Sequence, residues 1–282
     1  GGVGRGELLG FEGMGVAGIG LATAIVSLAR FAVLWRAVGR RSQFITKQKA
    51  QFKAALGVLK VGWPIGLHWL CEVGAFSAVT ILMGRLGSTV VAGHQIALEL
   101  STLTFTACLG LSSAAAVRVG HAVGRESAHE MRMAGLSSVI IGLGFMAFTA
   151  AIFGLFAPQL ARFFTDSVDV QNVSIVLIRI AAIFQLVDGV QVVMSGALRG
   201  AGDTRAAMVI NLVGHWCVGL PIGWYLAFPS GLGAVGLWWG LTIGLTLAAL
   251  VTSLRFAVIL RRPIEPLDEF VGDSLVTMEP DP

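Results

Sequence analysis

Residues 62–76 read Gly62-Trp63-Pro64-Ile65-Gly66-Leu67-His68-Trp69-Leu70-Cys71-Glu72-Val73-Gly74-Ala75-Phe76, with Glu72 the one acid among them. The surrounding apolar run extends over 55–84. As a helix it is long enough to cross a hydrocarbon core of about 30 Å, which takes ~20 residues. Proline within such a run removes a backbone donor and bends the helix. A carboxylate at its centre costs about 2.5–3.5 kcal/mol or more, so an acid there marks a functional candidate. The stretch reads as a bent membrane-spanning helix that carries an acid for a purpose.

Six more apolar stretches flank it, at 13–35, 90–117, 134–157, 173–198, 206–228 and 232–258. The chain is 55% hydrophobic and 13% charged, about half the charge of an average soluble domain. Lipid requires every backbone amide to be paired within its own segment, so the spans are helices. The 37 glycines then serve close helix packing rather than loops. The expected fold class is an all-α integral membrane protein, a polytopic bundle of about seven spans. Cys71, Cys108 and Cys217 lie in apolar runs without a CxxC pair, so neither zinc nor redox chemistry is indicated. The net charge of +4 is spread between spans, which argues against a nucleic-acid partner and for a lipid bilayer.

Basic residues set the orientation. Arg36, Arg40, Arg41, Lys47, Lys49, Lys53, Arg118, Arg125, Arg132, Arg199, Arg205, Arg255, Arg261 and Arg262 fall on one side, and Arg5, Arg85 and Arg162 on the other. The richer side is cytoplasmic. This divides the chain into an extracellular segment 1–12, a first span 13–35, a basic cytoplasmic linker 36–54, a six-helix body 55–260 and an acidic, disordered cytoplasmic tail 261–282. The chain opens on Gly rather than Met and is expected to continue upstream.

Of the 16 acidic residues, Glu72, Glu99 and Asp188 alone sit deep in spans. His68 stands four before Glu72. Gln95, Glu99, Thr102 and Thr106 form a stripe at helical spacing; Gln185, Asp188 and Gln191 form a second, and Asn211 with His215 a third. Such stripes either face one another across a hydrated cavity or bond helix to helix inside the bundle. Arg179 either snorkels to the surface or pairs with an acid. His94 and His121, near span ends, read as solvated at the interface. Pro64 and Pro221 each sit in a Gly-x-Pro-Ile-Gly motif, as static kinks or as bends that shape a site.

These residues resemble those of the multidrug and toxic compound extrusion (MATE) family. The 62–76 stretch looks like its seventh helix. Leu82-Met83-Gly84-Arg85-Leu86-Gly87 through Ala92-Gly93-His94-Gln95-Ile96-Ala97 is similar to the turn into the eighth. Gly110-Leu111-Ser112 with Ala116-Val117-Arg118-Val119-Gly120 is similar to the eighth helix's cytoplasmic end. Ser195-Gly196-Ala197-Leu198-Arg199-Gly200-Ala201-Gly202-Asp203-Thr204 resembles the link from the tenth helix to the eleventh. The resemblance covers about 13–260. It implies the sixth helix plus the C-terminal six-helix lobe of a twelve-helix fold, with the N-terminal lobe of the same protein as a missing partner.

It further implies a secondary transporter, not an enzyme, in a bacterial inner membrane, exporting lipophilic or cationic organic compounds by antiport with H⁺ or Na⁺ and using no other cofactor. Asp188, Glu72 and Glu99 are the implied cation-coupling residues, with Na⁺ a candidate ligand of Asp188 and Glu72. Expected in the substrate cavity are Trp69, Phe76, Phe184, His68, Gln95, Thr102, Gln185, Gln191, Asn211 and His215. Where NorM-like members offer a tyrosine four residues before the aspartate, this chain has Phe184, which removes an oxygen and favours H⁺. A lipid-linked oligosaccharide flippase of the same superfamily would need more Lys and Arg in the cavity than Arg179 alone. A seven-span receptor shares the topology but leaves the motifs unexplained.

Overall fold

A computed structural model describes residues 15–39 and 52–261. The segment 1–12 expected to be extracellular, the middle of the linker and all of the tail beyond Arg261 lie outside these residues. The chain divides into two units, Gly1–Ala54 and Ala55–Pro282. In the first, α1 (Gly15–Gly39) is a helix of 25 residues, four longer at its end than the span at 13–35 suggests. The second is built from α2 (Phe52–Gly84), α3 (Ser88–Gly124), α4 (Ala128–Phe164), α5 (Val168–Gly200), α6 (Thr204–Leu212), a π-helical segment (Val213–Gly219), α7 (Leu220–Ala227) and α8 (Gly233–Ile259).

Among the described residues, six helical spans are long and apolar enough to cross a membrane, the fifth running through α6, the π segment and α7. Helices α3 and α4 each run to 37 residues, well past the apolar stretches. Apolarity marks only the part in hydrocarbon, and the polar ends remain helical in the head-group region. Short turns close each hairpin. Ser127 caps α4 by accepting from the Glu130 N–H at 3.2 Å. Asp203 caps α6 at 3.3 Å and accepts from Arg255 Nε at 2.7 Å, tying the end of α8 to that turn.

Helix α5 is the axis of the lobe, packed against α3, α4, α6 and α8. Its run Gln191–Leu198 is buried throughout. Small residues permit this: Gly196 lies against the Ser112 backbone of α3 so closely that a Cβ has no room. One apolar core surrounds Phe184 and Trp238. A second, at the other end of the bundle, joins Val119, Met131, Leu198 and Phe256.

The two prolines act differently. Pro64 lies inside a continuous α2. Pro221 opens α7 directly after the π segment. Its ring cannot tolerate the carbonyl four residues back and it has no N–H to give, so the preceding turn widens into a π bulge. A third proline, Pro158, sits within α4 just past Phe156, whose backbone (φ −110°, ψ 16°) leaves the helical region. Sequence reading did not single this kink out.

Candidate functional site: a carboxylate-bearing cavity

From its eighth residue, Trp69, the 62–76 stretch and its continuation along α2 form one wall of a cavity of ≈ 500 Å³, completed by α3 and α5. Trp69, Glu72, Phe76 and Thr80 recur every three or four residues and so line one face of α2. Gln95, Ser101, Thr102 and Phe105 come from α3, and Phe184 and Asp188 from α5. Aromatic rings brace one another: Trp69 meets Phe105 edge-on at 6.3 Å, Phe76 meets Phe184 at 6.0 Å, and Phe184 meets Trp238 in the core at 5.6 Å. Among the described residues, no lysine or arginine lines the cavity.

Of the three intramembrane acids, the structure brings Glu72 and Asp188 to this cavity, each 6% exposed. Glu72 Oε2 accepts from Asn211 Nδ2 at 3.1 Å and lies 3.5 Å from His68 Nε2. The Asp188 carboxylate has no hydrogen-bond partner among the described residues, although it lies within electrostatic reach of Glu72. The two acids therefore share a site, but one is held and the other is free.

The expectation that all three acids face one cavity is corrected for Glu99. It is exposed on α3 and does not line the cavity. Gln95, Thr102 and Thr106 on the same stripe are exposed as well, Gln95 and Thr102 at the edge of the cavity and Thr106 outside its lining. Helical spacing put the four on one face, but it could not say that the face points out of the lobe. Arg179 is likewise exposed, on α5.

Placement in the cavity is also corrected for His68, Gln185, Gln191, Asn211 and His215. All five lie inside the lobe behind the cavity wall, at most 3% exposed; helix-to-helix hydrogen bonds hold His68, Gln185 and Asn211, while Gln191 and His215 bond within their own spans. His68 Nδ1 donates to the Ala207 carbonyl at 3.3 Å, and its Nε2 accepts from Asn211 Nδ2 at 3.3 Å. His215 Nδ1 donates to the Asn211 carbonyl at 3.1 Å. Gln185 Oε1 accepts from Thr104 (3.0 Å) and Thr149 (3.3 Å), joining α5 to α3 and α4. Gln191 Nε2 donates to Ser195 at 3.3 Å.

His94 is another correction. It is fully buried rather than solvated. Trp238 Nε1 donates to its Nδ1 at 3.2 Å, which puts the ring proton on Nε2. Nε2 then donates to Thr80 Oγ1 at 3.1 Å, and the Thr80 hydroxyl donates to the Phe76 carbonyl at 3.0 Å. This chain runs from α8 to the cavity wall. Thr80 was legible in the sequence as the continuation of the Glu72–Phe76 face; the role of His94 was not, because its partner Trp238 is distant in the chain.

A family model described as MatE matches residues 64–225. The chain is 36% identical over 266 residues to a probable multidrug resistance protein NorM of Bradyrhizobium diazoefficiens, and 40% identical over 259 residues to one of Xanthomonas axonopodis pv. citri. Each alignment takes in 90% of this chain and 57% of the relative, so the chain spans little more than half the length of the curated relatives it matches. Among solved structures, a mutant of the Vibrio cholerae MATE transporter VcmN aligns with a TM-score of 0.79 at 21% identity, over 88% of this chain and 57% of that one. The eukaryotic MATE transporter AtDTX14 aligns with a TM-score of 0.72 at 21% identity, over 80% and 50%. These structural likenesses concern the fold.

Proposed function

The chain belongs to the MatE family, and from that premise we propose that it forms the C-terminal lobe of a secondary transporter that exports lipophilic or cationic organic compounds in exchange for H⁺ or Na⁺. One observation carries the reading: two carboxylates, Glu72 and Asp188, open onto an aromatic-walled cavity with no basic residue among the described residues of its lining. The rings supply apolar and cation–π contact to an organic cation, and the carboxylates supply its counter-charge.

Two negative charges in a low-dielectric wall are costly unless neutralised. The inward-moving cation and the substrate then compete for the same charge, and arrival of one weakens the hold on the other. Asp188 is the first choice for the coupling group because its oxygens are free, whereas Glu72 already accepts from Asn211. Phe184, one turn before Asp188, offers a ring edge where Na⁺ would want an oxygen, which favours H⁺. The basic end of the bundle is placed in the cytoplasm, and the membrane is a bacterial inner membrane. Glu99 belongs to the same reading. A charged group facing lipid costs about 2.5–3.5 kcal/mol or more, so its face of α3 meets protein or water supplied by the rest of the transporter.

The test is efflux of a cationic dye from proteoliposomes holding the full-length protein, under an imposed pH or Na⁺ gradient. Asp188→Asn and Glu72→Gln should each lose gradient-driven efflux. Full efflux by both variants refutes the coupling role. Efflux driven by Na⁺ alone keeps the carboxylates and overturns the choice of proton.

A further inference from the structure

We propose that the groove at the α3–α4 turn binds the head group of an anionic phospholipid. The groove has a volume of ≈ 410 Å³ and is lined by Arg118, His121, Arg125, His129, Glu130 and Met133, together with Ala134. It is separate from the carboxylate cavity. Arg118 is thirteen residues beyond Phe105 on α3, about 20 Å at a rise of 1.5 Å per residue.

Its charge is unbalanced. Two guanidiniums and two imidazoles face one carboxylate, and that carboxylate is taken: Glu130 Oε2 accepts from Arg125 Nη1 at 3.0 Å. Arg118, His121 and His129 are exposed and have no partner among the described residues. Arg118 and His121 stand at i and i+3 on one face of α3, Arg125 follows as the helix's C-terminal cap, and all three line the groove. Arginine forks suit the paired oxygens of a phosphate.

The second half of the argument is apolar. Met133 lines the groove, and Met133, Leu136 and Ile140 recur at i, i+3 and i+7 along α4, 53%, 46% and 67% exposed. A greasy lane therefore leads from the basic groove toward mid-span. A free phosphate would use only the basic rim. A phospholipid uses both, its phosphate in the groove and an acyl chain along Met133–Ile140. Membrane topology accounts for basic residues at this end of the bundle, but not for a concave groove that continues into an apolar lane. Basic pockets between helices at a membrane surface suit anionic head groups.

The measurement is binding of fluorescent phosphatidylglycerol to the full-length protein in phosphatidylcholine nanodiscs. Arg118→Gln combined with Arg125→Gln should weaken binding at least about tenfold, since each basic residue near the surface contributes roughly fivefold. Arg118→Lys, which keeps the charge and loses the fork, should weaken binding less than Arg118→Gln, which separates charge from misfolding. Arg162→Gln, at the opposite end of α4, should change nothing. Met133→Asp, in the lane, should weaken lipid binding as well. Undiminished phosphatidylglycerol binding by the double arginine variant overturns the proposal. So does full competition by inorganic phosphate together with indifference to Met133→Asp, which would assign the groove to a soluble anion.

Discussion

Asn211 illustrates how much one residue can hold together in this lobe. Its amide donates to Glu72 and to the His68 ring, while its carbonyl accepts from His215. Four polar residues that the sequence shows as two separate pairs, His68 with Glu72 and Asn211 with His215, thus become one buried network between α2 and the α6–π helix. A buried partner left unpaired costs about 1–3 kcal/mol. Asn211→Leu should therefore lower the thermal unfolding temperature in detergent, and dye efflux should fall as Glu72 loses its anchor. His94→Leu should cost a similar ~1–3 kcal/mol by orphaning the Trp238 N–H. Because Thr80 also loses its donor, His94→Leu should change apparent substrate affinity more than Thr252→Val, which removes a hydroxyl bonded only to its own helix. An unchanged melting temperature in both variants would show that these networks are spectators.

At the scale of elements, the crossing of the π segment and α7 with α8 is decided by absent side chains. Gly214, Gly219 and Gly223 lie against Gly240 and Gly244, and a Cβ on Gly244 would come within 2.7 Å of the Gly219 Cα. Backbone cannot yield as a flexible side chain can, so Gly244→Val should cost about 1–3 kcal/mol as overpacking. Gly62 and Gly110 have nothing within 4 Å of an added Cβ. Gly62→Ala and Gly110→Ala should leave stability unchanged or raise it by up to about 1 kcal/mol, as alanine exceeds glycine in helix propensity. Differential scanning fluorimetry of the three variants checks the contrast; equal losses in all three would refute it. The motif Gly219-Leu220-Pro221-Ile222-Gly223 signalled a break in the helix, but not that the break takes the form of a π turn.

For the whole molecule, the exposed stripe on α3 carries the most testable consequence. If the outward face of Glu99 meets a water-filled passage, Glu99→Cys in a variant with Cys71, Cys108 and Cys217 replaced should react with a water-soluble maleimide in membranes, and bound substrate should slow the reaction. A site labelled only by lipid-soluble reagents would mean that α3 faces the bilayer there. A C-terminal reporter active only on the cytoplasmic side should be active, as the distribution of arginines and lysines requires. By itself the sequence determined the helical class, the six spans of the lobe, their alternation, and the three intramembrane acids. Each of these follows from local composition: ~20 apolar residues must be helical in lipid, and a charge among them is conspicuous. Sequence periodicity also grouped the polar residues by helix face. Only the tertiary structure decided which way each face points. Rotation of a helix about its own axis is set by packing against neighbours distant in the chain, here Phe184 against Trp238, Gly196 against Ser112 and Asn211 against Glu72. Those contacts turn Asp188 and Glu72 toward a shared cavity, bury Gln185, Gln191 and His215 behind it, and leave Glu99 outside.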